Sequence, residues 1–361
     1  MTNFWEELPK PFLVLAPMEG VTDKVFRTVV ERAGAPDVFY TEFTNVSSFA
    51  SERGRENALE RLEINPNEGK HVHNGTPIVA QIWGKNPEQF ALLASKLEEL
   101  GFDGLDLNMG CPDKNVCKTG GGSGMIRTPE LAVECIRQAK SATNLPVSVK
   151  TRLGYSRIDE FREWLPTLLR ENLATLTVHL RTKKEMSKVG AHFELIPEII
   201  KLRDEIAPQT KLVINGDIEN RAHALELYKK HPEIDGFMIG RGVFKDIGCF
   251  RNKFGAISCS DSTERGNASS GAARPWRTGR ADACPKTNCA DLFLYHLDLF
   301  DTRRAELEAK GQKYPFEPLK HFYKVYFNST PNSSDLRQKL MECNTTDELR
   351  EVIQSTPFEM G

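Results

Sequence analysis

The residues best placed to do chemistry lie between Asp103 and Gly124, in the run DGLDLNMGCPDKNVCKTGGGSG. Gly104 to Asn108 is a short apolar stretch ending in polar side chains, the pattern of a buried strand that delivers its last residues to a site. Gly110 turns the chain, and Pro112 biases Cys111 away from helical dihedrals onto an extended turn. Glycines 120, 121, 122 and 124 predict a mobile loop that can approach a ligand closely. Thr128 and Pro129 then supply the cap and first residue of a helix. A cysteine is more often core packing than reagent. One placed after a strand, between Gly and Pro, reads instead as a reagent. With a reference pKa of about 8.5, its thiol is mostly protonated at neutral pH and can donate a proton.

Polar or glycine-rich residues also stand wherever the other apolar runs stop. Pro17-Met18-Glu19-Gly20 follow the run 12–16, and Gln81 falls in the run 78–82. Lys150 ends 147–150, and His179-Leu180-Arg181 ends 176–179. Asn215-Gly216-Asp217 ends 212–215, and Gly240-Arg241-Gly242 ends 236–239. With the runs 38–43 and 104–108 these make eight candidate strands, each pair separated by a helical pattern. Eight such units over about 240 residues predict an α/β chain with a (β/α)8 barrel rather than an open sheet. Strands covered by helices are expected to be apolar throughout rather than alternating. In a barrel the strand ends converge on the C-terminal mouth, where polar residues cannot be core filling. A lone Lys150 or His179 would say little; the whole set in register says much. The last two ends are rich in glycine and precede helices, which suits a phosphate site, with Arg241 adding charge.

Composition narrows the class. At 361 residues the chain has room for one large domain and a small one. A hydrophobic fraction of 39% with 27% charged residues is that of a folded soluble protein, not a disordered one. No apolar run is long enough to span a membrane and MTNFWEELPK lacks a signal pattern, so a cytoplasmic protein without membrane partner is expected. The eight cysteines form no paired CxxC set, so neither a metal nor a disulfide framework is expected. A net charge of −2 argues against a generally basic nucleic-acid binder.

Together LAPMEGVTDKVFR, DLNMGCPDKNV with GGGSGMI, PVSVKTRLG, TVHLRTK, VINGDI and MIGRG resemble the tRNA-dihydrouridine synthase family over about residues 12–245. The resemblance implies an FMN-binding barrel, residues 1–250, followed by a helical tRNA-binding domain, residues 290–361. It implies that Pro17, Met18, Glu19, Gln81, Lys150 and His179 contact the flavin. Asn215, Gly216, Asp217, Gly240 and Arg241 would hold its phosphate end. Cys111 matches the family's catalytic cysteine, and Asn108 the residue facing the target base, with Arg181 and Lys183 as further substrate contacts. His179-Leu180-Arg181 carries Leu where many members carry Gly. The implied reaction reduces the 5,6 double bond of a uridine, with NADPH (or NADH) as reductant and Cys111 as proton donor. A thiol on a glycine-flanked loop could swing in after the base arrives. The base itself would have to leave its stack.

Residues 251–289 are rich in Ser, Gly, Ala and Arg, and 251–286 carry seven Lys/Arg against three Asp/Glu, a local +4. They read as a flexible basic insertion, either a solvated linker or a second RNA contact. Helical patterns resume after it, with Arg303, Arg304, Lys310, Lys313, Lys320 and Lys324 as a basic side for the tRNA backbone. A monomer is expected. Two alternatives stay open at this stage: an FMN barrel acting on a small pyrimidine, and a non-catalytic RNA-binding barrel.

Overall fold

The computed structural model describes residues 3–69, 75–251, 289–327 and 333–356. The proposed insertion lies almost wholly outside them. Eight strands run in chain order: β1 (Phe12–Leu15), β2 (Phe39–Asn45), β3 (Ile78–Trp83), β4 (Gly104–Met109), β5 (Val147–Arg152), β6 (Thr175–His179), β7 (Lys211–Asn215) and β8 (Gly236–Ile239). They pair in parallel in the order β1-β8-β7-β6-β5-β4-β3-β2. A bridge between Val14 and Val38 closes the ring, with Leu15 N donating to Val38 O at 3.1 Å. This is the expected (β/α)8 barrel, with a helical C-terminal domain beside it.

The strands are not apolar throughout, as the sequence suggested. They alternate with the pleat. Leu13, Leu15, Phe39, Ala80, Leu105, Leu107, Val149 and Val178 pack outward against the helices. Phe12, Val14, Tyr40, Val79, Val213 and Met238 fill the interior above Trp5. Interior space is short. Gly236 leaves room for Phe12, whose ring would lie 2.3 Å from a Cβ there. Further along, the interior turns polar: Gln81, Asp106, Asn108, Ser148 and Thr177 are all buried. Gln81 sits alone inside an apolar run, whereas Asp106 with Asn108, Ser148 with Lys150, and Thr175 with Thr177 already alternate with apolar residues in the sequence.

The helix Cys289–Ala309 docks on the barrel helix Lys24–Gly34. Phe26 meets the Phe322 ring at 5.0 Å, and the Tyr314 hydroxyl donates to Asp23 Oδ2 at 3.0 Å. Arg303, expected on an exposed basic side, is turned inward instead. Its guanidinium lies 2.8 Å from Glu63 and 3.7 Å from Glu60, and its side chain is only 7% exposed. The reason is spacing: His296, Phe300, Arg303 and Leu307 recur at three and four residues and form the buried stripe. Arg304 lies half-buried over the Phe300 ring, and Lys320 pairs with Glu317 at 3.1 Å. Lys324 is exposed and has no ion pair among the described residues.

Arg303→Ala should therefore destabilise the protein by about 1–3 kcal/mol, the cost of leaving charged partners unsatisfied. Lys324→Ala should stay within about 0.5 kcal/mol. Chemical denaturation of the two variants checks this; equal midpoints would show that Arg303 does not tie the domains together.

Candidate active site

The barrel mouth holds a cavity of about 730 Å³, large enough for a cofactor together with part of a substrate. Against it runs a chain of buried polar side chains from three adjacent strands, of which Gln81 and Asn108 line the cavity. Ser148 Oγ donates to Asp106 Oδ1 at 2.7 Å. Gln81 Nε2 donates to Asp106 Oδ2 at 2.7 Å. Asn108 Nδ2 donates to Gln81 Oε1 at 2.8 Å. Asn108 Oδ1 then accepts from Gly110 N at 3.1 Å and Cys111 N at 2.9 Å. Direction runs one way along this chain. An ionised carboxylate only accepts, so Gln81 must turn its nitrogen toward Asp106 and its oxygen toward Asn108. Asn108 is thereby left with its oxygen facing the turn that carries Cys111.

Burial lifts the Asp106 pKa to about 6, against hydrogen bonds from Ser148 and Gln81 and the charge of Lys150, which pull it down. At neutral pH the group is ionised. Lys150 lines the cavity two positions before Arg152 on β5, and its ammonium has no hydrogen-bond or ion-pair partner among the described residues. Burial, then the nearby Arg152, push its pKa down to about 8. Burial and the cations Arg152, Lys150, Arg181 and Arg241 hold His179 well below its usual pKa, so its ring is neutral. Its Nε2 lies 3.2 Å from Arg181 Nη1, which can only donate. Nε2 therefore accepts, and the proton sits on Nδ1.

Cys111 lines the same cavity and is half-buried. Burial raises its thiol pKa, so the group stays protonated. Its carbonyl accepts from Ser123 N at 3.0 Å, from Ser123 Oγ at 2.9 Å and from Cys117 Sγ at 3.5 Å. The expected mobile loop is thus a folded one. It contains a short helix, Lys114–Lys118, and a 3-10 turn, Gly122–Arg127, tied back to Cys111. Arg152 holds the turn from the other side, with Nε donating to Gly110 O at 2.7 Å and Nη1 to Met186 O at 3.1 Å.

The far end of the cavity is made by β7 and β8. Gly216 has φ +112, where a Cβ would fall 2.8 Å from the His179 ring. At Gly240 a Cβ would meet only Ala16 at 3.5 Å and Met18 at 4.0 Å, so this backbone faces open space. Asp217 accepts from Arg181, from Ala191 N at 3.0 Å and from Arg241 Nη2 at 3.0 Å.

A family model described as Dihydrouridine synthase (Dus) matches residues 14–359. The chain belongs to the dihydrouridine synthase family. It is therefore an enzyme. It is 46% identical over 355 residues to the "Probable tRNA-dihydrouridine synthase 2" of Bacillus subtilis (strain 168), covering 97% of this chain and 95% of that one. It is 44% identical over 358 residues to the "Probable tRNA-dihydrouridine synthase" of Staphylococcus aureus (strain MRSA252), covering 99% and 97%. Among solved structures, it is similar to morphinone reductase in complex with tetrahydroNAD, at 13% identity and TM-score 0.45 over 66% of this chain and 84% of that one. It is also similar to an old yellow enzyme homologue from Zymomonas mobilis, at 14% identity and TM-score 0.46 over 68% and 90%. Both of these structural likenesses are distant.

In this chain, Pro17, Met18, Gln81, Asn108, Cys111, Lys150, His179, Asn215, Gly216, Asp217, Gly240 and Arg241 all line the one cavity. Three expected residues do not. Glu19 turns outward and pairs with Arg61 at 2.8 Å. Arg181 is buried at 2% exposure, and Asp217, Val189 O and His179 occupy its guanidinium, so it buttresses the wall rather than meeting a substrate. Lys183 faces a separate hollow. Asn108, expected to face a base, commits its oxygen to the turn and keeps one amide hydrogen free. The sequence reading missed Asp106, Ser148 and Arg152. Asp106 and Arg152 stand two residues from Asn108 and Lys150, on the same strand faces, and that spacing was the available signal.

Protonating Asp106 removes the direction of the amide chain, so activity should fall as pH drops through about 6. Ser148→Ala deletes a hydrogen bond that favours the carboxylate, and this acid limb should then move to higher pH. Asp106→Asn should lower the rate about 10²-fold with the limb abolished, a loss expected for a misplaced reacting group. Rate profiles against pH check this; a limb unmoved in Ser148→Ala would remove Asp106 as its origin.

Proposed function

We propose that the enzyme reduces the C5–C6 double bond of a uridine in tRNA, with FMN held in the barrel mouth and NADPH (or NADH) as the electron source. Relatives with 44–46% identity over nearly the full length are named as probable tRNA-dihydrouridine synthases, which supports the substrate. The residues present fit the cofactor. Lys150 offers an unpaired ammonium to an electron-rich ring. Gly240 lines the cavity, and Arg241 and Lys245, which pair with Asp217 and Glu219, line the same end, where a phosphate would meet them. Pro17, Met18, Gln81, His179, Asn215 and Gly216 complete the enclosure. When bound and reduced, FMN supplies the hydride that one carbon of the double bond takes.

The chain's own residues do the rest. Cys111 gives a proton to the other carbon, so hydride and proton together saturate the bond. Its raised pKa keeps that proton available at neutral pH. The nearby Arg152 guanidinium stabilises the thiolate left behind. Asn108 and Ser123 fix the turn, so Cys111 need only rotate its side chain. Lys150 keeps its charge below about pH 8 and loses it above. The observation that carries this reading is one cavity shared by a protonated thiol on a locked turn and an unpaired ammonium.

Cys111→Ala should still bind FMN and still oxidise the nicotinamide, because neither needs the thiol. Its dihydrouridine formation should fall by about 10²–10⁴, the usual loss of a general acid. Cys117→Ala should remain near wild type, since Ser123 already supplies two hydrogen bonds to the Cys111 carbonyl. Single-turnover assays on unmodified tRNA decide it; normal product formation by Cys111→Ala would overturn the assignment.

A further inference from the structure

Beside the mouth lies a second hollow of about 580 Å³, separated from the first by the segment that carries Cys111 and Cys117. Lys85, Lys114, Lys118, Arg127 and Lys183 all line it. They come from three loops: the turn after β3, the folded loop after β4, and the loop after β6. Arg127 and Lys183 both sit over the Tyr155 ring, at 5.1 Å and 4.9 Å from its centre. None of the five has an ion-pair partner among the described residues. Of the carboxylates close to them in sequence, Asp113 caps its own helix and Glu185 accepts from Thr182 and His192, while Glu88 and Glu130 are exposed and pair with none of the five. Other basic side chains of the chain, such as Arg61, Arg137, Arg162 and Arg350, do have carboxylates. Like charges gathered from distant segments without counter-ions repel one another, and an anion relieves that repulsion.

The position of the hollow matters as much as its charge. The helical domain is docked on the helix after β1 and on Glu60 and Glu63 after β2. The hollow is built by the loops after β3, β4, β5 and β6, across the ring from that docking face. A polyanion lying over the mouth would meet the helical domain on one side and this hollow on the other.

We propose that the hollow binds backbone phosphates of the RNA beside the reacting base, so that the tRNA is held from both sides of the mouth. This rests on the functional reading above. The spread of five cations suits successive phosphates of one strand, more than a single small phosphate group. Because the hollow and Cys111 share one folded segment, phosphates bound here would also fix the backbone on which the base swings into the mouth. Lys118, which ends the short helix, and Arg127, which ends the 3-10 turn, are exposed, and their side chains make no hydrogen bond among the described residues.

The test uses the full chain with its flavin and an unmodified tRNA transcript. Binding is measured against salt for wild type, for the Lys118→Ala/Arg127→Ala double variant and for the charge-conserving Lys118→Arg/Arg127→Lys pair. The alanine pair should weaken tRNA binding about tenfold and make the slope of log K against log salt shallower by about 0.7–0.9 for each phosphate that is no longer neutralised. Flavin content, melting temperature and nicotinamide oxidation should not change, and the charge-conserving pair should behave as wild type. An unchanged salt slope in the alanine pair would overturn the proposal. So would an unchanged tRNA affinity with a raised KM for NADPH, which would assign the hollow to a dinucleotide phosphate. A wild type that oxidises NADPH but binds no tRNA would overturn the functional reading itself, and the proposal with it.

Discussion

A carboxylate buried inside a barrel is expensive unless its oxygens are satisfied, and the Asp106 group sets the terms for the whole mouth. Two hydrogen bonds and the charge of Lys150 keep it ionised. Because it can only accept, it dictates the orientation of Gln81, then of Asn108, then of the peptide N–H groups at Gly110 and Cys111. The turn that carries Cys111 is thus held by a buried carboxylate through two intervening side chains. Three strands in fixed register make this possible: Gln81 lies opposite Asp106, and Asp106 opposite Ser148. A parallel barrel places such partners without any loop having to find its position.

The other wall depends on a second, half-buried carboxylate. Asp217, at φ +50, draws in both Arg181 and Arg241. The effect is to place cations around His179, which therefore stays neutral and accepts a hydrogen bond. Positive charge accumulates on this wall and on Lys150, while the thiol opposite is kept uncharged. That division suits a reaction in which negative charge arrives as hydride from one side and a proton from the other.

Much of the fold was legible because each strand ended in a residue the core could not use. Lys150, His179 and Asn215 are polar ends of apolar runs, and all three line the cavity. Roles were less legible than places. Glu19 and Arg181 sat in matching motifs, but Glu19 pairs with Arg61 at the surface, and the carboxylate of Asp217 absorbed Arg181. Arg303 looked like surface charge until its spacing from His296 and Phe300 placed it on the buried stripe. The glycines at 120–124 suggested mobility, yet positive φ at Gly120 and Gly122 instead folds the loop back on Cys111. Long-range hydrogen bonds of this kind leave no periodic trace in a sequence. The alternation that exposes Asp106 and Ser148 does leave one, in their spacing of two from Asn108 and Lys150.

The central claim is that this mouth reduces a base presented by folded RNA. The most direct measurement incubates the purified, FMN-loaded protein and NADPH with an unmodified tRNA transcript, followed by mass mapping of the nucleolytic fragments. The account predicts that one uridine-containing fragment gains the mass of two hydrogens, and that free uridine under the same conditions gains none. Reduction of free uridine or uracil with the transcript unchanged would contradict it.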